Sequence, residues 1–391
     1  MLRTIFLTSS TGVEGKNYPH IMRVIFLSRF SELTLLISKK ADFGRYIMPT
    51  TKIWRSPLGR GKLSLIVYAV YKLFINRRKL NNFILFTEPS VIGIVGFLVK
   101  LFSPIKWVVD VWDIPIRYTG KNMLTKWRTG LTRRLMRLAY RQADLFIVGI
   151  RTDYQFKFFK IPDEKVLPWQ TTIWIPNQEL RSLRGVSDNY FNILCMKSMH
   201  DPACGLDVLL KAFRKVKGQI PEARLWIIGR IRQDAEEAIK ELKDTEGVHF
   251  FGFLEHERVL QMINESHLTV IPWYNEVDLA QLYPTKVMEY MTEGKVVLAA
   301  RVAGIADMIR DGVDGMLFQP GDSEDLAEKI LMLYKDPDLR QKLAAKARLY
   351  QPKFDTVRKH EAIFHALKTL VNDPTPYDLT SDKDFLKKYT G

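Results

Sequence analysis

Short apolar runs alternate along this chain with longer stretches in which apolar residues recur every third or fourth position. The first kind reads as strands and the second as helices. In the N-terminal half, Leu2 to Thr8, Leu33 to Ser38, Phe83 to Thr87, Trp107 to Val111 and Leu145 to Val148 are expected strands, because each is short, apolar and bounded by turn or charged residues. Helical patterns lie between them, near Pro19 to Phe30, Lys62 to Arg77, Val91 to Phe102 and Leu124 to Arg141. Such alternation predicts a parallel sheet covered on both faces.

The theme repeats through Asn192 to Met196, Leu206 to Val216, Arg224 to Ile228, Asp234 to Lys243, Val248 to Phe251, His256 to Glu265, Leu268 to Ile271, Thr285 to Thr292, Val296 to Ala300 and Ala306 to Arg310. Between the halves, Ile175 to Tyr190 carries Pro176, Asn177 and Gly185, as a linker does. The expected division is one α/β domain at 1–175, a linker at 176–190 and a second α/β domain at 191–352. A last helical stretch and a polar tail with Pro374 and Pro376 follow at 353–391.

Length and composition agree. At 391 residues the chain exceeds one ordinary core, and 47% hydrophobic residues argue against disorder over any long stretch. Charge changes the picture more. Residues 1–175 hold 29 Lys and Arg against 10 Asp and Glu, whereas the remainder holds 30 against 33. A field so placed attracts an anionic membrane surface, nucleic acid or a phosphorylated lipid, and does not choose among them. The two cysteines, Cys195 and Cys204, suit neither a disulfide framework nor a zinc site, so a reducing cytoplasm is expected. Met1 to Ser10 reads as a first strand rather than a signal peptide, and the most apolar segment, Val91 to Val99, is about half a membrane span.

The chemistry concentrates in Tyr283-Pro-Thr-Lys-Val-Met-Glu-Tyr-Met-Thr-Glu-Gly294, followed by Ala303-Gly304 and by Asp311 to Asp322. Thr285, after Pro284, is placed to cap a helix whose first backbone N–H groups are unpaired, and an anion belongs there. Lys286 in the first turn is a cation otherwise unfavourable at that end, so a diphosphate would gain from it. Glu289, one turn on, can accept two hydroxyl hydrogen bonds, as a ribose offers. The bland reading of Lys286 and Glu289 is an exposed helical ion pair.

This run resembles the donor-binding signature of the retaining glycosyltransferases of family four. Gly205 to Phe213, Ala223 to Gly229, Val248 to Phe253, Leu268 to Pro272 and Leu326-Ala327 after Gly321-Asp322 fall in that family's order and spacing. The resemblance covers roughly 175 to 350 well and the first half loosely, through Glu88-Pro89, Asp110-Val-Trp-Asp113, Ala143 to Leu145 and Ile175 to Asn177. It implies an α/β chain of the GT-B architecture, two Rossmann-like domains facing each other across a cleft. The first takes the acceptor, the second binds a nucleotide-sugar donor, and the helix after about Gln351 returns to the first domain. It implies transfer with retained anomeric configuration to a glycan or lipid-linked glycan.

Position by position the resemblance implies a ribose contact at Glu289, with Gln281 where the family has a second glutamate. The family's usual diphosphate cations correspond to Ser198 and Cys204, so Lys197, Arg230 and Lys286 are the substitute candidates. Gly252, Phe253 and Leu254 match base contacts made through the backbone, and Gly304 a contact to the donor sugar. Gly12, in the Ser9 to Asn17 loop, matches a glycine facing the donor. The family's frequent histidine after a middle strand is Trp112 here, and one of the flanking Asp110 and Asp113 is expected near the acceptor hydroxyl; the bland alternative is a cap or a pair with Arg117. His200, which follows the same strand as Lys197, reads as a polar loop residue, with a contact to the donor sugar as the alternative.

No strand-terminal Asp-x-Asp motif is present, so neither a metal nor another cofactor is expected. Two rivals stay open. One is a nucleotide-sugar epimerase of the same fold, and the other a catalytically lapsed scaffold or nucleic-acid-binding protein, against which stands the lack of an aromatic-and-basic recognition motif. The stretch Leu124 to Arg141 has Leu124, Trp127, Leu131, Leu135 and Leu138 on one face and six Lys and Arg on others. Either its leucines pack on the sheet, or it meets an anionic membrane surface, which would place the protein peripherally on the inner face.

Overall fold

The structure, a computed structural model, describes residues 2–8, 19–39, 41–43, 47–57, 62–111, 123–149, 161–168, 189–196, 205–229, 245–275, 283–349 and 356–373. Two compact units emerge, Met1–Trp174 together with Asp355–Gly391, and Ile175–Phe354.

The first unit is built on strands β1 (Leu2–Thr8), β2 (Ser31–Ile37), β3 (Lys52–Arg55), β4 (Phe83–Thr87), β5 (Lys106–Val111), β6 (Leu145–Val148) and β7 (Val166–Pro168). They pair in parallel in the order β3-β2-β1-β4-β5-β6-β7. Central strands of a sheet covered on both faces need apolar side chains at successive positions, and β1 exposes only Arg3. One face carries Ile5, Leu7, Leu36 and Leu85 against helices α2 (Lys62–Ile75) and α3 (Ile94–Lys100). The other carries Phe6, Leu35, Ile84, Phe86 and Val108 against α1 (Pro19–Phe30) and the chain's return segment. That segment is the last described helix, Thr356–Leu370, which buries Ile363, Phe364 and Leu367 in this core and stacks His360 on Phe26 with ring centroids 4.0 Å apart.

Helix α4 (Met123–Tyr140) lies beside α3 and buries Met136, Ala139 and Tyr140, the last against Trp107 at 5.5 Å. Its Leu131, Leu135 and Leu138 point to solvent. The reading in which those leucines pack on the sheet is therefore corrected: the larger Tyr140 and Met136, a third of a turn away, fill the space over β5 and β6.

The second unit has β8 (Phe191–Met196), β9 (Ala223–Ile228), β10 (Val248–Gly252), β11 (Leu268–Ile271), β12 (Val297–Ala300) and β13 (Met316–Phe318), parallel in the order β10-β9-β8-β11-β12-β13. Both orders are those of doubly wound nucleotide-binding sheets. The described helices of this unit are α5 (Leu206–Gln219), α6 (His256–Glu265), α7 (Thr285–Thr292), α8 (Ala303–Ala306), α9 (Ser323–Lys335) and α10 (Pro337–Arg348). The helix expected at Ala306 to Arg310 lies earlier, in α8. Among the described residues no helix is long and apolar enough to cross a membrane.

Candidate functional site

In an open parallel sheet, ligands bind beyond the carboxyl ends of the strands where the strand order reverses. In the second unit that point lies between β8 and β11. Here two chain segments meet closely. Gly205, the residue before α5, has φ +62°, and a Cβ there would sit 1.7 Å from the carbonyl oxygen of Pro272, just past β11. Only glycine satisfies both demands, a left-handed backbone and no side chain. Two turns of chain are then tied together when the Tyr274 hydroxyl donates to Asp207 in the first turn of α5, at 2.6 Å. Burial and that carboxylate push the Tyr274 hydroxyl up to about 12.

Helix α7 opens beside this point. Pro284, not Thr285, is its cap residue, with extended backbone and no side-chain cap bond, so the expected capping role of Thr285 is corrected: Thr285 is the first helical residue. The Val287 N–H turns back to the Pro284 carbonyl at 3.1 Å. Among the described residues no partner is recorded for the N–H groups of Thr285 and Lys286, which leaves a positive helix end available to an anion. Thr285 and Lys286 are half-buried, and Glu289 is 9% exposed. That burial excludes the bland reading of Glu289 as an exposed partner of Lys286.

Side-chain bonds set the position of α7. Met196, the last residue of β8, donates its N–H to the buried Tyr290 hydroxyl at 2.8 Å, pinning α7 to the end of β8. At the far end, Asn264 donates to Glu293 at 2.8 Å while Lys295 donates to the carbonyls of Asn264 and Ser266 at 2.7 and 3.0 Å. Burial draws the Lys295 amine down to about 8, against the pull of Glu293. Neither the Tyr290 nor the Tyr274 bond is visible in the amino-acid pattern, since each partner lies far off in the chain. Tyr290→Phe should strand the buried Met196 N–H and cost about 1–3 kcal/mol. A urea midpoint equal to that of the parent would show the bond to be dispensable.

Gly304 is buried in α8, which begins three residues after β12. Past β10, Phe253 is exposed and Leu254 half-buried, and the Gly229 N–H ties the ends of β9 and β10 through the Gly252 carbonyl at 2.8 Å. Gly12, Asp113, Lys197, Ser198, His200, Cys204, Arg230 and Gln281 lie outside the described residues.

The first unit has its own polar row at the corresponding place. Register aligns Leu7 with Thr87 and Thr87 with Val109, so the next residues, Thr8, Glu88 and Asp110, stand side by side at the carboxyl edge. All three are buried. Thr8 donates to Glu88, and Asp110 is held by Arg23 of α1 through two bonds of 3.1 and 3.2 Å. Both members of this ion pair are 1% exposed. The expectation that Asp110 faces an acceptor, or pairs with Arg117, meets a carboxylate engaged by Arg23. A signal for it exists in the sequence: Arg23 interrupts the apolar run from Ile21 to Leu27.

Comparison with known proteins follows the same division. The family described as glycosyl transferases group 1 matches residues 184–350. A sulfoquinovosyl transferase of Arabidopsis thaliana is 30% identical over 162 residues, which are 40% of this chain and 30% of that protein. The chain spans less than half the length of the curated relatives it matches. Among solved structures, Anabaena HepE in complex with UDP superposes with a TM-score of 0.73 at 17% identity, covering 94% of this chain and 100% of that one. Sucrose-phosphate synthase from Thermosynechococcus elongatus gives 0.75 at 15% identity, covering 95% and 100%. These likenesses establish the GT-B fold.

Proposed function

We propose that this chain, in which residues 184–350 form a glycosyl transferases group 1 domain, is a retaining transferase that moves a sugar from a nucleotide-diphosphate donor to a glycan or lipid-linked glycan acceptor. The observation that carries this reading is the amino end of α7, with Pro284 as cap, two N–H groups without partners among the described residues and a buried carboxylate one turn inside. The diphosphate sits on the N–H groups of Thr285 and Lys286 and near the Lys286 amine, with Lys197 and Arg230 as further cations. Glu289 and Gln281 take hydroxyls of the donor, Gly304 approaches its sugar, and the backbone at Phe253 and Leu254 holds the base.

The chemistry follows from where charge develops. As the bond between sugar and phosphate lengthens, negative charge grows on the leaving diphosphate, and fixed dipoles and cations beside it lower the barrier. Those groups lie on the chain itself, so the reading needs no metal. The departing phosphate oxygen assists deprotonation of the acceptor on the same face of the sugar. With Asp110 engaged by Arg23, Asp113 is the carboxylate proposed beside the acceptor hydroxyl, and Gly12 is a further proposed donor contact. The reaction belongs to the cytoplasm, beside the inner face of the membrane.

A thermal-shift screen of nucleosides, nucleotides and nucleotide sugars tests the assignment, with UDP and UDP-glucose first. At about a hundredfold excess over Kd a ligand of the folded state adds about 2.7 kcal/mol, so a diphosphate should raise Tm visibly and its nucleoside far less. If no nucleotide diphosphate raises Tm, the reading fails. Incubation with donor alone separates it from the epimerase, which would yield an isomerised nucleotide sugar without any acceptor.

A further inference from the structure

Helix α2 is apolar on all sides, and only one side is used. Leu65, Ile66, Ala69 and Leu73 enter the core, while Leu63, Val67, Tyr71 and Phe74, spaced to form one stripe, are between 46% and 73% exposed. Leu101, at the end of α3, is 69% exposed as well. Helices α2, α3 and α4 lie side by side on the same face of the first sheet, and α4 adds the outward stripe of Leu131, Leu135 and Leu138. Aliphatic stripes this long are unusual on a surface that meets only water.

The described charges of these helices are of one sign: α2 and the turn after it carry Lys62, Lys72, Arg77, Arg78 and Lys79 and no Asp or Glu, and the described side chains of 130–143 include Arg134, Arg137 and Arg141 and no acid. At the end of α2 the turn Arg77–Lys79 is unburied, with the Arg77 guanidinium 4.4 Å from the Phe74 ring centre. Arg134 and Arg141 are exposed on and after α4. Asp144 pairs with Lys100 at 2.7 Å and Glu88 is buried, while the exposed Asp163 and Glu164 stand at the far end of α4, beside Lys165, which donates to the Arg141 carbonyl. Among the described residues Arg77, Arg78 and Lys79 have no carboxylate partner.

From this face we infer that the first unit docks on an anionic lipid bilayer through α2 and α4. The aliphatic and aromatic side chains enter the interfacial layer, and Arg77, Arg78, Lys79, Arg134 and Arg141 meet lipid phosphates. A second copy of the chain is a poor occupant, because two such faces repel. An apolar stripe rimmed by cations is the pattern that combines burial in the headgroup region with attraction to anionic lipid. The inference concerns the first unit alone and does not depend on the donor assignment in the second.

The test is co-sedimentation of the full chain with vesicles of phosphatidylcholine, with and without phosphatidylglycerol. Binding should appear with phosphatidylglycerol, weaken as salt rises, and survive added inorganic phosphate, which separates a surface from a single phosphate site. Val67→Glu with Tyr71→Glu should lower vesicle partitioning by at least about tenfold, and Arg78→Glu with Lys79→Glu by a similar factor on anionic vesicles only. Both double variants alter exposed positions, and unchanged circular dichroism and nucleotide-induced Tm shifts would show the chain intact. The inference is overturned if the parent ignores anionic vesicles, if both variants bind as the parent does, or if the stripe variant instead abolishes a dimer while vesicles stay unbound.

Discussion

Replacing Glu289 by alanine should lower kcat/KM for the donor by about a hundred- to a thousandfold and remove most of the donor-induced rise in Tm. Two hydrogen bonds from sugar hydroxyls to a carboxylate are each in the range of about 1.5–3 kcal/mol, less the water that replaces them. Glu289 is nearly closed to solvent, and water entering the truncated site compensates only in part. Glu289→Gln keeps one acceptor and should fall between the two. The comparison is informative because the helix is held by other residues, Tyr290 to β8 and Glu293 to Asn264, so the unliganded variant should keep its fold. An Ala variant that folds and still gains the full stabilisation from donor would remove Glu289 from the site.

The other large effect is expected at Arg23. Arg23→Met leaves Asp110 buried opposite an uncharged side chain, and breaking one side of such a pair costs about 3–5 kcal/mol. Chemical denaturation should show this as a lowered midpoint with an unchanged slope. Arg23→Met combined with Asp110→Leu should recover most of the loss, because two apolar side chains of similar volume replace the two charges together. The same pair of positions separates structure from chemistry. If Asp110 serves the acceptor, Asp110→Asn lowers kcat out of proportion to stability; if it serves Arg23, stability falls and kcat per folded molecule holds. Equal stability of Arg23→Met and the parent would contradict the ion pair itself.

What made the central strands readable was burial on both faces. β1, β4, β6 and β11 could be bounded from their apolar runs because a covered parallel strand has no polar face to confuse the pattern. Three of the four edge strands escaped for the opposite reason, while the fourth, β10, was legible at Val248 to Phe251. β3 is Lys52-Ile-Trp-Arg55 with its charges exposed, β7 is three residues ending in Pro168, and β13 is three residues after a turn. Helix α4 shows a further limit. Its leucine stripe and its Met136, Ala139 and Tyr140 stripe are both apolar, and periodicity names the existence of an apolar face without saying which face the sheet takes.

The amino-acid sequence by itself determined two runs of alternating strand and helix, the stretch from Tyr283 to Gly294 that opens a helix after Pro284, and the one-sided charge of the first half. Those properties are local, written in spacing and composition. The tertiary structure alone decided that Asp110 is bound to Arg23, that Tyr290 fixes α7 to the end of β8, that Gly205 crosses Pro272 at the turning point of the strand order, and that α2 and α4 leave leucines, a valine and aromatics facing outward. Each of these joins residues distant in the chain or selects one face among several, and such choices depend on which surfaces the packed sheet leaves free.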